Sequence, residues 1–240
     1  TNTLKRDGVP SIINPDDKAA LEVALTLKEQ TDATVAVVSM GPPQAEIALR
    51  EALAMGADEA WLITDRAFAG SDTLATSTII AAAVDKLGYD LIIAGRQAID
   101  GDTAQVGPQI AEHLGIPQIT YVAGVKYDAA SGAFEVNRRF EDRYQLLEVK
   151  GKVLFTMLSD AVKPRYMSVN GIVAQEGKEV GKITFADITV DPADIGLKGS
   201  PTKVKSTATK QFDDNREILE LDPVAAAKTI VDALDAKHLI

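Results

Sequence analysis

The chain has 240 residues, 46% of them hydrophobic and 25% charged, which suffices for one full-sized core with an appendage or for two small domains. It has no cysteine and only two histidines, His113 and His238, which excludes disulfides, thiolate nucleophiles, iron–sulfur ligation, cysteine-based zinc sites and a histidine cluster. A formal charge of -10, from 25 Lys+Arg against 35 Asp+Glu, argues against nucleic acid or an anionic bilayer as the main partner, and leaves the chemistry of a bound organic cofactor, of carboxylates, or none. No apolar run reaches the roughly 18 residues of a membrane span, and Thr1 to Asp7 lacks the apolar stretch of a signal peptide. A cytoplasmic protein is expected.

In chain order, Asn14-Pro15-Asp16-Asp17 reads as a helix entrance, with Asn14 as N-cap, Pro15 in the first turn and two carboxylates at the positive end of the dipole. The β-branched run from Ala33 to Ser39 predicts a fully buried strand with an exit loop at Gly41-Pro42-Pro43. A helix from Gln44 to Met55, a strand from Ala60 to Thr64, a helix from Asp72 to Leu87, a strand from Asp90 to Gly95 and a helix from Thr103 to Leu114 follow, with Gly56, Gly88 and Gly115 as stops. This alternation predicts an α/β fold, a doubly wound parallel sheet with helices on both faces.

After Pro117 the pattern changes. Thr120 to Tyr127, Phe134 to Phe140, Tyr144 to Val149 and Val153 to Leu158 have no helix between them and turn at Ser131-Gly132 and Gly151, so antiparallel strands are expected to extend the sheet. Residues 1–160 would then form the domain. Residues 161–240, less regular and ending in a helix from Pro223 to Lys237, read as a C-terminal arm laid either on a partner or on its own domain.

Ligands of doubly wound sheets bind outside the carboxyl ends of the strands. Two such loops stand out, Ser39 to Pro42 and Gly95 to Pro108. The second combines glycines, a basic residue, hydroxyls and amides with a helix start, where amides at Thr103, Ala104 and Gln105 would suit a phosphate. It is neither G-x-G-x-x-G nor a P-loop. A long turn with Asp and Thr caps explains the same residues, and with Gly101 between them Asp100 and Asp102 favour capping over acid–base work. His113 reads as a surface or cap residue, and Trp61 and Met40 as core residues.

The run Gly95-Arg96-Gln97-Ala98-Ile99-Asp100-Gly101-Asp102-Thr103-Ala104-Gln105-Val106-Gly107-Pro108, with Asn14-Pro15, Val38-Ser39-Met40-Gly41-Pro42, Ala54-Met55-Gly56-Ala57-Asp58 and Pro164-Arg165-Tyr166, closely resembles the β subunit of electron-transferring flavoproteins over nearly the whole chain. The resemblance implies an αβ heterodimer. The α subunit carries a flavin, and the β subunit holds AMP in simple members or a second FAD in electron-bifurcating ones. Carried over residue by residue, the nucleotide site comprises Asn14, Pro15, Asp16, Asp17, Met40, Gly95, Arg96, Gln97, Ala98, Ile99, Asp100, Gly101, Asp102, Thr103, Ala104, Gln105 and Val106. No catalytic side chain and no metal ligand is assigned, and Arg96 is the candidate for opposing negative charge on the ligand.

Gly101 to Pro108 and Asp65 to Ser77 look like the bifurcating group, with Gly101 and Ala104 small enough to leave room for a diphosphate. The implied function is that FAD accepts hydride from NADH, one electron passing to ferredoxin or flavodoxin and the other, through the α-subunit flavin, to an acyl-CoA dehydrogenase. The alternatives are an electron-transfer subunit with structural AMP and a universal-stress-type ATP-binding domain. Phe68 to Thr73 would line the flavin or the NADH approach, or be a turn with Asp72 as N-cap. Arg165 to Val173 matches the segment that docks on acyl-CoA dehydrogenases, with Val169 as apolar anchor, or is a surface loop with Tyr166 partly buried. Gly199 to Thr202 and the final helix would belong to the arm gripping the α subunit. Family members carry a further, central strand ahead of the segment matching Leu4 to Val9, so a sheet built from residues 1–240 is expected to lack a central strand.

Overall fold

The computed structural model describes residues 12–206 and 218–240. They fall into two compact units, one reaching to Lys203 and one from Val204 onward.

In the first unit, α1 (Pro15–Gln30) is followed by β1 (Ala36–Met40), α2 (Glu46–Met55), β2 (Glu59–Ile63), α3 (Thr73–Leu87), β3 (Leu91–Gly95) and α4 (Val106–Leu114). Then come β4 (Gln118–Asp128), β5 (Ala133–Arg139), β6 (Tyr144–Lys150), β7 (Val153–Met157), α5 (Val169–Glu176), β8 (Val180–Ile183) and α6 (Gly196–Gly199). Short 3-10 turns cover Pro43–Ala45, Arg66–Phe68 and Phe185–Asp187.

The alternating βα pattern yields the expected parallel strands, arranged in two sheets. One has the order β1-β2-β8, all parallel; the other, β3-β7-β4-β5-β6, is parallel through β4 and antiparallel beyond it. Among the described residues β1 pairs only with β2, and β3 only with β7. This has a visible consequence. The run read as a fully buried strand is only half-buried in β1, and so is β3, whereas every residue of β7, flanked on both sides, is buried.

Helix α1 serves both sheets. Its Leu21 and Leu25 pack with Leu49, Leu53 and Leu62, while Ala20, Val23 and Leu27 on another stripe pack with Val122, Val136, Phe155 and Met157. Further core comes from Ile63, Phe68, Ile79 and Ile183, and from Ala81, Ile110, Ala111 and Leu154. The hairpins turn at Gly132 and Gly151, both at positive φ.

The compact body continues past residue 160. Val180 to Ile183 joins β2 in register, and Val180, Ile183 and Ile195 are buried. A salt-bridge knot fastens residues 160–165: Arg165 meets Glu22 at 2.9 Å and Glu29 at 2.5 Å, both on α1, and Arg139 pairs with Asp160. In the second unit α7 (Pro223–Asp235) is capped by Asp222, which accepts from Val224 and Ala225 N–H; Val224, Ile230 and Val231 are exposed. No helix of the described residues is long and apolar enough to cross a membrane.

Candidate functional site

The start of α1 and the exit of β3 are built into each other. Asn14 occupies the N-cap position, yet it makes no side-chain cap. Its amide instead donates to Gln97 O at 2.8 Å and to Asp17 Oδ2 at 2.8 Å, and its Oδ1 accepts from Ile99 N–H at 3.1 Å. The residue read as a local cap is thus a clamp between segments more than eighty positions apart. Asp17 adds a second clamp, its Oδ1 accepting from Gly95 N–H at 2.7 Å. Position 95 has to be glycine, since a Cβ there would lie 2.6 Å from Asp17 N. Burial raises the Asp17 pKa, opposed by the Gly95 and Asn14 hydrogen bonds and reinforced by the charge of Asp16.

Beyond the clamp the loop closes on itself. Ala98 O accepts from Gly101 N–H at 3.3 Å and from Asp102 N–H at 2.9 Å, and Gln97 Nε2 donates to Asp102 Oδ1 at 2.7 Å. Asp102 (φ 49°) and Ala104 (φ 53°) both adopt the left-handed conformation, which an alanine enters only under constraint. Hence α4 begins at Val106 and not at Thr103 as the sequence suggests, because the two inverted residues cannot be helical. The amides of Val106 and Gly107, in the first turn of α4, have no intrahelical acceptor, and no side chain caps them. Gly107 brings α4 close over β7, for a Cβ there would lie 2.7 Å from Thr156 Cγ2. Around Gly101 there is open space.

Arg96 follows β3 and continues its ladder, its N–H donating to Met157 O at 2.9 Å. Its Nε lies 3.4 Å from Asp16 Oδ2, an ion pair by distance without hydrogen-bond alignment, so both buried atoms lack a hydrogen-bond partner among the described residues.

Of the expected site residues, Asn14 to Asp17 and Gly95 to Asp102 are thereby brought together, with Thr103 to Val106 continuing into α4. Met40 ends β1, in the other sheet, and packs with Ile63, Phe68 and Ile79. Phe68 is a core residue, and Asp72 caps α3 by accepting from Leu74 and Ala75 N–H. Trp61 donates its indole N–H to Glu59 and packs on Gly181. His113 is exposed, its Nε2 lying 3.2 Å from Ser77 Oγ and 3.3 Å from Thr78 Oγ1. Tyr166 is 89% exposed, which rules out its partial burial, and Val169 at the start of α5 is exposed too.

One contact of a residue the sequence singles out, and one further residue, have no sequence signal. Thr73 Oγ1 donates to Gln105 Oε1 at 2.8 Å, joining the start of α3 to the loop. Tyr121, in β4, has φ 57° and stands under the Arg96 guanidinium, 5.9 Å from ring centroid to Cζ. Nothing local announces either contact.

Residues 1–188 match the electron transfer flavoprotein domain family. The chain is 57% identical over 238 residues to the electron transfer flavoprotein subunit beta of Clostridium acetobutylicum, covering 99% of this chain and 91% of that one. It is 47% identical to the acryloyl-CoA reductase electron transfer subunit gamma of Anaerotignum propionicum, covering 99% and 91%. Similarity to the caffeyl-CoA reductase-Etf complex subunit CarD of Acetobacterium woodii is 46%, covering 100% and 92%.

Proposed function

The chain belongs to the electron transfer flavoprotein family, and on that footing we propose that it is the β subunit of an αβ heterodimer holding FAD at the junction of α1, β3 and α4. When bound, FAD would supply the redox chemistry that links a two-electron donor, NADH, to two one-electron acceptors, ferredoxin or flavodoxin and, by way of the α-subunit flavin, an acyl-CoA dehydrogenase. The chain's own residues bind and orient. The amides of Val106 and Gly107 receive the phosphates at the positive end of α4. Asn14 and Asp17 hold the loop in place, and Arg96 opposes negative charge on the ligand.

The observation that carries this reading is the uncapped start of α4 behind a loop locked in left-handed backbone at Asp102 and Ala104, strain of the kind concentrated at ligand sites. The names of two relatives, subunits of CoA-reductase complexes, support an acyl-CoA dehydrogenase as the partner. Arg165 to Val173 would be the docking segment, since Tyr166, Val169 and Val173 present apolar side chains to solvent. Residues 204–240 would serve as the arm on the α subunit.

Nucleotide extraction from the purified αβ complex tests the reading. Two FAD per heterodimer, bleached by NADH, are expected. One FAD and one AMP would instead establish the second reading, in which AMP is structural. Gly101→Leu should cut retention of the β-subunit nucleotide while leaving the melting temperature of the nucleotide-free complex unchanged, because no protein atom lies within 4 Å of a Cβ there. Full retention would mean that the phosphate lies elsewhere.

A further inference from the structure

Tyr121 is the one aromatic residue among the described residues held at positive φ. A bulky side chain enters that region only when its surroundings force it. Here the forcing feature is a bulge: between the pairs Ile119↔Phe155 and Val122↔Met157, β4 has one residue more than β7. The displaced Tyr121 N–H finds the Thr156 hydroxyl at 3.4 Å, a long contact in place of a ladder bond. A core-packing side chain would offset such strain by burial, but Tyr121 is 43% exposed.

Its position matters. Gly95 and Val122 flank Met157 from opposite sides, so Tyr121 stands level with the end of β3, across β7, at the edge where the candidate loop leaves the sheet. Arg96 lies over the ring and is backed by Asp16, 6% exposed and with Oδ2 lacking a hydrogen-bond partner among the described residues. A half-exposed aromatic ring, a guanidinium and a buried carboxylate are thus assembled on the ligand edge by a distortion of the strand. Planar, electron-rich rings are what such a pair recognises, by stacking and by cation–π attraction.

We infer that Tyr121 is a ligand-binding residue of this site, its ring stacking on the planar ring of the bound nucleotide with Arg96 holding the stack in place. The inference rests on the nucleotide reading above and adds a residue to it. Asp16 orients Arg96 and is a positioning residue.

The test uses the αβ complex, freed of nucleotide and titrated separately with FAD and with AMP, unsubstituted and as Tyr121→Gly, Tyr121→Asn and Tyr121→Phe. Glycine and asparagine accept the left-handed backbone, so they keep the bulge and remove the ring. Both should raise the dissociation constant roughly tenfold with the melting temperature maintained, and Tyr121→Phe should bind as the unsubstituted complex does. Weakening toward FAD alone assigns the stack to the flavin ring; weakening toward both nucleotides assigns it to adenine. Unchanged affinity for both in whichever of the glycine and asparagine complexes assembles would overturn the inference, leaving Tyr121 a turn residue. An unsubstituted complex that binds neither nucleotide would overturn the nucleotide reading first, and this inference with it.

Discussion

Asn14 shows how a residue's environment can redirect it. By type and position it is a helix cap, but its three hydrogen bonds go to Asp17, Gln97 and Ile99 because the β3 exit loop lies across the helix start. Asn14→Ala should therefore cost about 1–2 kcal/mol, and it should also lower nucleotide content, which a plain cap would not do; urea melts and extraction measure the two. Arg165 is the second such residue. Glu22 and Glu29 hold its guanidinium, raising its pKa well above the usual range, while Arg165 N–H also donates to Glu22 Oε2 at 2.9 Å. Glu22 is buried, so Arg165→Ala strands a carboxylate; discounted for the third of the guanidinium left in water, the loss should be about 2 kcal/mol in a denaturant melt. Arg165→Lys should restore little of it, because an ammonium cannot bridge both carboxylates in the planar fork.

At the scale of elements, the close contact of α4 with β7 sets where the first-turn amides of α4 stand. Gly107→Ala should push the helix off Thr156 and destabilise the fold by about 1–3 kcal/mol, and adding Thr156→Ser, which removes the obstructing Cγ2, should recover most of the loss. The start of α3 is tied in three directions: Asp72 Oδ1 caps the helix, Asp72 Oδ2 accepts from Thr202 N–H at 2.9 Å and Thr202 Oγ1 at 2.7 Å, and the next residue, Thr73, reaches Gln105. Partial burial works against the Asp72 charge, but the Thr202, Ala75 and Leu74 hydrogen bonds outweigh it and hold the carboxyl below its usual pKa. A lowered native value means that the latch contributes fully above the ordinary aspartate range, near pH 4, and is lost as the pH falls through that native value. The protection factor of Thr202 N–H, taken against its intrinsic exchange rate at each pH, should fall on acidification through that value, and in Asp72→Asn it should be low already at neutral pH. The latch was hidden in the sequence because 130 residues separate its partners, whereas Asp72 as N-cap was legible from its place before an apolar helical run.

For the molecule as a whole, the order of helices and strands follows from periodicity and stop residues: Pro15, Gly56, Gly88 and Gly115 stand at helix ends as read, and β4, β5 and β6 are antiparallel as expected, whereas β7, expected as a fourth antiparallel strand, inserts parallel between β3 and β4 and is buried throughout. These are local signals, set by backbone preference and by which face of an element is apolar. The family resemblance likewise rested on contiguous runs. Long-range pairing had no such signature. Val180-Gly181-Lys182-Ile183 is too short and mixed to read as a strand, and becomes one only because β2 offers its edge and Trp61 lies over Gly181. The division of the parallel strands into two sheets, the inverted backbone at Asp102, Ala104 and Tyr121, and the clamps from Asn14 and Asp17 all depend on which distant segment comes to lie alongside. Local sequence sets what each segment can form, while the packing of distant segments chooses the backbone strain and hydrogen-bond partners that shape the Gly95 to Val106 loop.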